Sequence, residues 1–304
     1  MILTDNKKIA AQFPYITYVQ ERELVNCRKR MEIHSIVCSR GFVKSVLDEK
    51  LPSLQFIQLL SAGYEGVDLK ECTKRGIAVS NAANVYSVGM AEFVVLCILR
   101  SAKRYNAYIT NSRIRLLRNY KFITELAGKS VVVLGVGGIG SEVAKRLQAF
   151  DMSVYGFARQ TREKLYFNAI IHTKDELKES LRQSDYVVST LPDNLDTAGL
   201  INQELLGCMK ENVTIVNVGR RKVFNEDDLF SFLKAHKQAT AFLDMFEKLP
   251  NPITNRFRRL KNVCVLPGIT AISQEIDARL YNLVENNLNR IANNELPINL
   301  LNHA

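Results

Sequence analysis

Residues 131–140 read VVVLGVGGIG, a short apolar run followed by the pattern G-x-G-x-x-G. The apolar run predicts a buried strand, and the amphipathic pattern that follows from Ser141 predicts a helix. In such a turn the first glycine permits the tight bend, the second lets the backbone approach a pyrophosphate, and the third lets the helix pack closely on the strand. The helix N-terminus also offers N–H groups to the phosphates. We therefore predict a dinucleotide site, with an ordinary glycine turn as the alternative, formed by Gly135, Gly137, Gly138, Ile139 and Gly140.

Strand-like and helix-like segments alternate through the chain from residue 130 onward. Helical patterns separate most of the apolar strand-like runs, which lie at 154–157, 185–191, 213–218, 240–246 and 263–266. Buried strands that alternate with helices are typical of a parallel, doubly wound sheet. The sequence therefore predicts an α/β fold with a Rossmann-type sheet.

The domain organisation follows from length and from the weaker pattern of the first hundred residues. A chain of 304 residues is longer than one compact core usually holds. Strand-like runs at 35–38 and 56–60 indicate a second α/β unit. We expect a smaller, flavodoxin-like substrate domain formed by residues 1–96 and 284–304. The dinucleotide-binding domain at 97–283 would be inserted into it, with a cleft between the two.

Composition argues against several classes of protein. No apolar run approaches the roughly 20 residues that span a bilayer, and the N-terminus lacks the layout of a signal peptide. The six cysteines are scattered without C-x-x-C spacing, which favours reduced side chains. No His and Cys residues share a metal-ligand spacing. We expect a cytoplasmic protein with no metal and no membrane partner.

A basic segment at 93–124 raises the question of polyanionic partners, because the chain carries a formal net charge of +10. This segment contains seven Lys and Arg residues and no acid. A solvated helix face or a subunit contact is the favoured interpretation. Nucleic-acid binding is the lesser alternative, because no nucleic-acid motif accompanies the segment.

Five stretches together resemble the D-2-hydroxyacid dehydrogenase family. They are FIQLLSAGYEGVD at 56–68, RGIAVSN at 75–81, AE at 91–92, ELAGK at 125–129 and VNVGR at 216–220. The resemblance extends over nearly the whole chain and includes glyoxylate/hydroxypyruvate reductases and phosphoglycerate dehydrogenase-like members. It implies hydride transfer between a nicotinamide cofactor and a small 2-oxo or 2-hydroxy acid, in a homodimer.

The resemblance also assigns the residues that contact the substrate. Arg220 matches the catalytic arginine, whose guanidinium can fork onto the carboxylate and carbonyl oxygens of a 2-oxo acid. The backbone N–H groups of Ala62 and Gly63 match those that hold the substrate carboxylate. Tyr86 stands at a position that faces the pocket, where its phenol either donates a proton or shapes the pocket. A water molecule is an equal alternative as the donor.

The cofactor contacts are assigned partly by resemblance and partly by charge. An NAD-binding site places an acid at the end of the second strand, where this chain has Ala158 followed by Arg159 and Arg162. The arginines favour the 2′-phosphate of NADP(H), with NAD(H) possible and a solvated basic loop as the alternative interpretation. The resemblance adds the following cofactor contacts: Leu191, Pro192, Thr197, Val218, Gly219 and Asp244.

Two positions depart from the family pattern. Leu249 stands where family enzymes have an acid that orients a histidine, and Gly268 stands where they have that histidine. General acid catalysis typically contributes about 10²–10⁴ in rate, so its loss would slow carbonyl reduction without abolishing it. The sequence predicts an NADP(H)-dependent 2-hydroxyacid dehydrogenase with an atypical proton donor. An NADP(H)-binding protein without dehydrogenase activity, acting as a sensor or a partner subunit, is the alternative.

Overall fold

The computed structural model describes residues 1–24, 30–105, 123–160, 163–244 and 256–302. The chain forms two compact units, Met1–Tyr86 with Ser273–Ala304, and Ser87–Ile272. We call them unit 1 and unit 2. Both divisions lie about ten residues before the positions expected from sequence, 96/97 and 283/284. The reason is that each long helix at a division belongs entirely to one unit.

Unit 1 contains a parallel sheet in the order β2-β1-β3-β4-β5, which is the flavodoxin-like order expected from sequence. Its strands are β1 (Ile2–Thr4), β2 (Ile16–Tyr18), β3 (Ser35–Cys38), β4 (Phe56–Leu59) and β5 (Ala78–Ser80). Its helices are α1 (Lys7–Gln12), α2 (Glu21–Leu24), α3 (Phe42–Asp48), α4 (Leu69–Lys74) and α10 (Ile276–Ala292).

Buried amides attach the C-terminal part of unit 1 to its sheet. Asn287 of α10 is fully buried and donates to the Oε1 of Gln58 on β4 at 2.6 Å and to the carbonyl of Ile298 at 3.0 Å. The Oδ1 of Asn302 accepts the N–H of Val79 at 2.8 Å. The chain after α10 therefore covers the β5 edge, which would otherwise expose unpaired backbone groups.

Unit 2 contains a parallel sheet in the order β12-β11-β10-β9-β6-β7-β8. Its strands are β6 (Ser130–Leu134), β7 (Ser153–Phe157), β8 (Ala169–Ile171), β9 (Tyr186–Ser189), β10 (Thr214–Asn217), β11 (Thr240–Asp244) and β12 (Val263–Leu266). The strand order reverses between β6 and β9, and ligands of doubly wound sheets bind at such a reversal, outside the carboxyl ends of the strands. The Rossmann-type sheet predicted from sequence is confirmed.

The helices of unit 2 are α5 (Ser87–Ala102), α6 (Gly138–Gln148), α7 (Lys174–Gln183), α8 (Gln203–Gly207) and α9 (Glu226–Ala235). Helices α5 and α6 begin before Ala91 and Ser141, the starts expected from sequence, because their first turns contain small residues without apolar periodicity. The sequence prediction omitted α7, which buries only Leu177 and Leu181 and begins with a capping box. Among the described residues, no helix has the length and apolarity needed to cross a membrane.

Candidate functional site

The glycine loop between β6 and α6 has the geometry that a dinucleotide requires. Gly135 has a φ of +99°, a conformation that side chains rarely adopt. A Cβ atom on Gly140 would lie 2.0 Å from the carbonyl oxygen of Gly135, so only glycine fits there. A Cβ on Gly137 would meet nothing within 4 Å, and this residue is the N-cap of α6, which has no side-chain cap. The open space beside uncapped helical N–H groups fits the phosphates of a dinucleotide.

The loop is also held from the neighbouring strand. The Thr190 hydroxyl, directly after β9, lies 3.1 Å from the carbonyl oxygen of Gly135 and 3.2 Å from that of Leu134. The N–H of Gly135 donates to the carbonyl of Phe157 at 3.0 Å. The turn is thus fixed from both neighbouring strands. Sequence reasoning missed Thr190, whose position after an apolar run was the available signal.

Arg159 lies two residues after β7, which is the second strand of unit 2 in chain order. It forms an ion pair with Asp196 of the loop after β9. Arg159 is 70% exposed and Asp196 is 60% exposed, so the pair lies in solvent. The carbonyl of Ala158 is 2.8 Å from the Nδ1 of His172. The other predicted phosphate-binding residue, Arg162, lies outside the described residues.

The loop after β9 contains the predicted contacts Leu191, Pro192 and Thr197. The Thr197 side chain is buried, and its hydroxyl donates to the carbonyl of Pro192 at 2.6 Å. At the far end of the loop, the N–H of Gly199 donates to the carbonyl of Lys222 at 2.7 Å. The loop is therefore ordered by its own contacts and attached to the segment that follows Arg220.

Arg220 lies three residues after Asn217, the last residue of the fully buried strand β10, at the carboxyl edge of the sheet. A Cβ on Gly219 would lie 2.6 Å from the carbonyl oxygen of Leu191, so the chain can pass there only as glycine. The fully buried Asn217 accepts the N–H of Gly219 at 3.1 Å and donates to the carbonyl of Arg220 at 3.3 Å. Asn217 thus fixes the backbone from which the Arg220 side chain projects. Its amide inside an apolar strand was the signal for this role.

Asp244 ends β11 and is 2% exposed. Its Oδ1 accepts the N–H of Gly268 at 2.7 Å, and its Oδ2 accepts the hydroxyl of Thr270. Gly268 has a φ of +76°, which favours glycine at this position. Asp244 therefore contacts two hydrogen-bond donors and no base among the described residues. Sequence reasoning singled out Asp244 and Gly268 but missed Thr270.

The predicted substrate residues Ala62, Gly63 and Tyr86 all lie in unit 1. Asn81 donates to the carbonyl of Ala62 at 2.6 Å, and Ser61 donates to the carbonyl of Gly63 at 2.7 Å. The Asn81 contact orients the peptide group that carries the Gly63 N–H. The Ala62 N–H belongs to the preceding peptide group, whose Ser61 carbonyl accepts the N–H of Ala82 at 3.0 Å.

Tyr86 donates its hydroxyl proton to the carbonyl of Leu60 at 2.8 Å. Burial raises the pKa of Tyr86 above its ordinary value of 10, and the negative charge of Asp277 shifts it in the same direction. The phenol is therefore both engaged by the backbone and a weaker acid than a free tyrosine.

Most of the predicted cofactor residues, together with Arg220, lie at the carboxyl edge of the sheet in unit 2. Of the two positions predicted to depart from the family pattern, Gly268 contacts Asp244, whereas Leu249 lies outside the described residues. No group of three or more His, Cys, Asp or Glu side chains in the described ranges is placed to hold a metal ion.

Comparison with known proteins agrees with this geometry. The family model for the NAD-binding domain of D-isomer specific 2-hydroxyacid dehydrogenases matches residues 93–269. The chain belongs to this family. Similar family members include the glyoxylate reductase of Thermofilum pendens, 32% identical over 258 residues, which are 83% of this chain and 76% of the relative. The glyoxylate reductase of Pyrococcus furiosus is 30% identical over 303 residues, which are 96% and 90% of the two chains.

Solved structures of this dehydrogenase family share the fold. One is the NADPH-dependent glyoxylate/hydroxypyruvate reductase of Sinorhizobium meliloti, which is 23% identical. The similarity covers 99% of this chain and 97% of that one, with a TM-score of 0.79.

Proposed function

We propose that this chain transfers hydride between NADP(H) and a small 2-oxo or 2-hydroxy acid. The observation that carries the proposal is that Arg220 follows β10, two strands along the sheet from the glycine loop after β6. Neighbouring strands are about 4.8 Å apart, so the two features begin roughly 10 Å from each other. That spacing suits an arginine that meets a substrate beside the far end of a bound dinucleotide.

Arg220 is the proposed substrate-binding and catalytic residue. Its guanidinium would form a bidentate contact with the carboxylate and carbonyl oxygens of the substrate. The same charge would stabilise the alkoxide that develops during reduction. A bound NADP(H) would supply or accept the hydride, and Asp244 would hold the nicotinamide carboxamide. The loop residues Ala62 and Gly63 would contribute N–H groups to the substrate carboxylate.

NADP(H) is the proposed cofactor, because Ala158 leaves the end of β7 without an acid and Arg159 follows it. A carboxylate at position 158 would repel a 2′-phosphate, whereas Arg159 attracts one. Two of the similar family members are glyoxylate reductases, which supports a small 2-oxo acid as the substrate. NADPH dependence in the Sinorhizobium meliloti reductase is consistent with the same choice of cofactor. By family resemblance the active form would be a homodimer.

The proton donor is proposed to differ from the family histidine, whose position Gly268 occupies. Tyr86 is the candidate side chain, but its hydroxyl already donates a hydrogen bond to the Leu60 carbonyl and its pKa is raised by burial. We therefore assign Tyr86 to shaping the 60–63 loop and expect a water molecule to supply the proton.

A second function is favoured by the surroundings of Asp244. Gly268 and Thr270 occupy both oxygens of this carboxylate, and the positive φ of Gly268 disfavours a histidine there. This part of the site is consistent with an NADP(H)-binding protein without dehydrogenase activity, a sensor or a partner subunit.

Fluorescence titration with NADPH and NADH, followed by a panel of 2-oxo acids, separates the two functions. The dehydrogenase proposal expects tight NADPH binding and saturable NADPH oxidation by glyoxylate, hydroxypyruvate or a bulkier 2-oxo acid. Arg220→Ala should bind NADPH normally and lose that oxidation. Tight binding without turnover across the panel would support the second function, and absence of NADPH and NADH binding would contradict both.

A further inference from the structure

An acidic residue at the predicted 2′-phosphate position was not expected from the sequence. Asp196 forms its ion pair with Arg159, the residue to which the proposed function gives the 2′-phosphate of NADP(H). We propose that Asp196 is a specificity-determining residue that restrains Arg159 and thereby limits the preference for NADPH over NADH. This inference rests on the proposed function, because it concerns the same cofactor site.

The position of Asp196 is set by the protein rather than by a ligand. The Asp196 N–H donates to the Oδ1 of Asn194 at 3.0 Å, and the N–H of Thr197 donates to the same oxygen at 3.1 Å. The Thr197 hydroxyl closes this turn on the carbonyl of Pro192. An ion pair of 3.2 Å between Asp193 and Lys222 holds the start of the loop. The Asp196 carboxylate is therefore presented to Arg159 by a turn with its own hydrogen bonds.

The competition follows from the chemistry of the guanidinium group. Its N–H fork binds a carboxylate or a phosphate in the same bidentate manner, and one face of the fork cannot hold both. The Asp196 carboxylate contacts Nη1 of the Arg159 guanidinium, so a 2′-phosphate that binds both terminal nitrogens must displace it. The displaced carboxylate stays on the same turn and repels the phosphate. Since the pair is exposed and such pairs contribute little stability, the displacement is feasible but weakens NADPH binding.

NADH meets a different environment at the same position. Its ribose carries a 2′-hydroxyl in place of the phosphate, so no charge has to displace Asp196. The carboxylate is a hydrogen-bond acceptor that the hydroxyl can use. Asp196 should therefore weaken NADPH binding and leave NADH binding unchanged or slightly improved.

The test is the equilibrium dissociation constant of NADPH and of NADH for the full chain and for Asp196→Asn, Arg159→Gln and the double variant. Asp196→Asn should tighten NADPH binding about twofold to fivefold, the size of an exposed ion pair, with NADH changed less than about twofold. In the Arg159→Gln background the same substitution should have a smaller effect on NADPH, because only the repulsion between the Asp196 carboxylate and the phosphate remains to be relieved. Thermal unfolding of each variant confirms that it is folded.

Glu179→Gln is the matched control. Glu179 pairs with Arg182 on α7, an exposed pair of the same type in the same unit, at 3.0 Å. This control should leave both dissociation constants unchanged, although it removes the same charge.

Three results would overturn the inference while leaving the proposed function intact. They are an unchanged NADPH to NADH ratio in Asp196→Asn, an equal change in Glu179→Gln, or a full effect of Asp196→Asn in the Arg159→Gln background. If the unmodified chain bound neither NADPH nor NADH, the proposed function itself would fail.

Discussion

Two regions along one sheet edge in unit 2 are built differently: the glycine loop after β6, and the ends of β11 and β12. At the glycine loop only glycine fits at position 140, since a Cβ there would lie 2.0 Å from the Gly135 carbonyl oxygen, well below van der Waals distance. At the ends of β11 and β12, the buried carboxylate of Asp244 is bound by Gly268 and Thr270. The first region contains the glycines that we predicted to bind the dinucleotide. The second region contains Gly268, which we predicted to stand at the position of the family histidine.

In the proposed function, dinucleotide binding and catalysis therefore depend on separable parts of the sheet edge. The steric features that suit the glycine loop to a phosphate do not depend on which residue stands at position 268. The Asp244 region contains the acid proposed to hold the nicotinamide carboxamide, and within the described ranges no imidazole forms a hydrogen bond with it. The chain should therefore retain cofactor binding with full strength and perform slower hydride transfer.

Arg220 lies between these two regions, and its loss should give the largest effect on activity. Arg220→Gln should lower kcat/KM for a 2-oxo acid about 10³-fold, the size expected for the loss of a charged group that stabilises an oxyanion. NADPH affinity should stay within about twofold, because the guanidinium is assigned to the substrate. Steady-state kinetics and NADPH titration measure the two quantities.

The control for this prediction is Arg221→Gln. Arg221 is the adjacent arginine and pairs with Glu226 at 3.2 Å, so the substitution should leave kcat/KM unchanged. Equal losses in the two variants would contradict the role given to Arg220.

Gly140→Ala tests the steric argument for the glycine loop. The added methyl group would overlap the Gly135 carbonyl, which cannot move away like a flexible side chain. We expect a loss of about 3 kcal/mol in the free energy of unfolding and a loss of NADPH binding. Gly207→Ala is the control, because a Cβ there meets nothing within 4 Å. Normal NADPH affinity in Gly140→Ala would contradict the steric argument for the glycine loop.

Gly268→His tests whether the missing histidine can simply be restored. A side chain at a φ of +76° costs about 1–2 kcal/mol of stability, and the strained backbone should weaken the contact with Asp244. We expect no gain in turnover relative to Gly268→Ala, which carries the same strain without the imidazole. A rise in kcat of tenfold or more in the histidine variant alone would show that this end of the site still accepts the family mechanism.

Thr270→Val removes the hydroxyl that donates to Asp244 and keeps the size of the side chain. Since a buried carboxylate then lacks a donor, the free energy of unfolding should fall by about 1–3 kcal/mol, and NADPH should bind more weakly. Thr270→Ser should restore both quantities. If valine and serine behaved alike, the hydroxyl contact would have no role.

Tyr86→Phe should give the smallest effect on turnover, below about tenfold, because the phenol supports the Leu60 carbonyl. Its pKa is raised by burial, so the unfolded chain releases this proton first as the pH rises. The stability from the buried neutral phenol is therefore present at neutral pH and lost as the pH rises from about 10 through the raised pKa. In the phenylalanine variant this loss should disappear from the unfolding free energy measured against pH. A fall in kcat above a hundredfold would instead identify Tyr86 as the proton donor.

The sequence predicted the parts of the site that depend on local constraints. The glycine loop and the VNVGR segment are read from neighbouring residues whose spacing already specifies a turn or a strand end. The partner of Arg159 could not be found in this way, because Asp196 is distant in sequence and the pair exists only through the order of β6, β7 and β9. Thr270 is a similar case, since a threonine in a loop carries no periodic signal.

The fold shows the same division between local and tertiary information. Fully buried strands such as β9 and β10 were predicted because their apolar runs are continuous. Strand β8 was missed, because it has only three residues and its first is exposed. The divisions between the units were expected inside α5 and α10, because the sequence pattern of a helix does not show which unit the helix packs on.

The account is tested most directly by the pH dependence of a single turnover of bound NADPH with a 2-oxo acid. Hydride transfer without an imidazole acid predicts a rate with no ionisation near pH 6.5, the ordinary pKa of histidine. A rate that falls as one group of that pKa loses its proton, and that loses this dependence when one of the four histidines is replaced, would contradict the account.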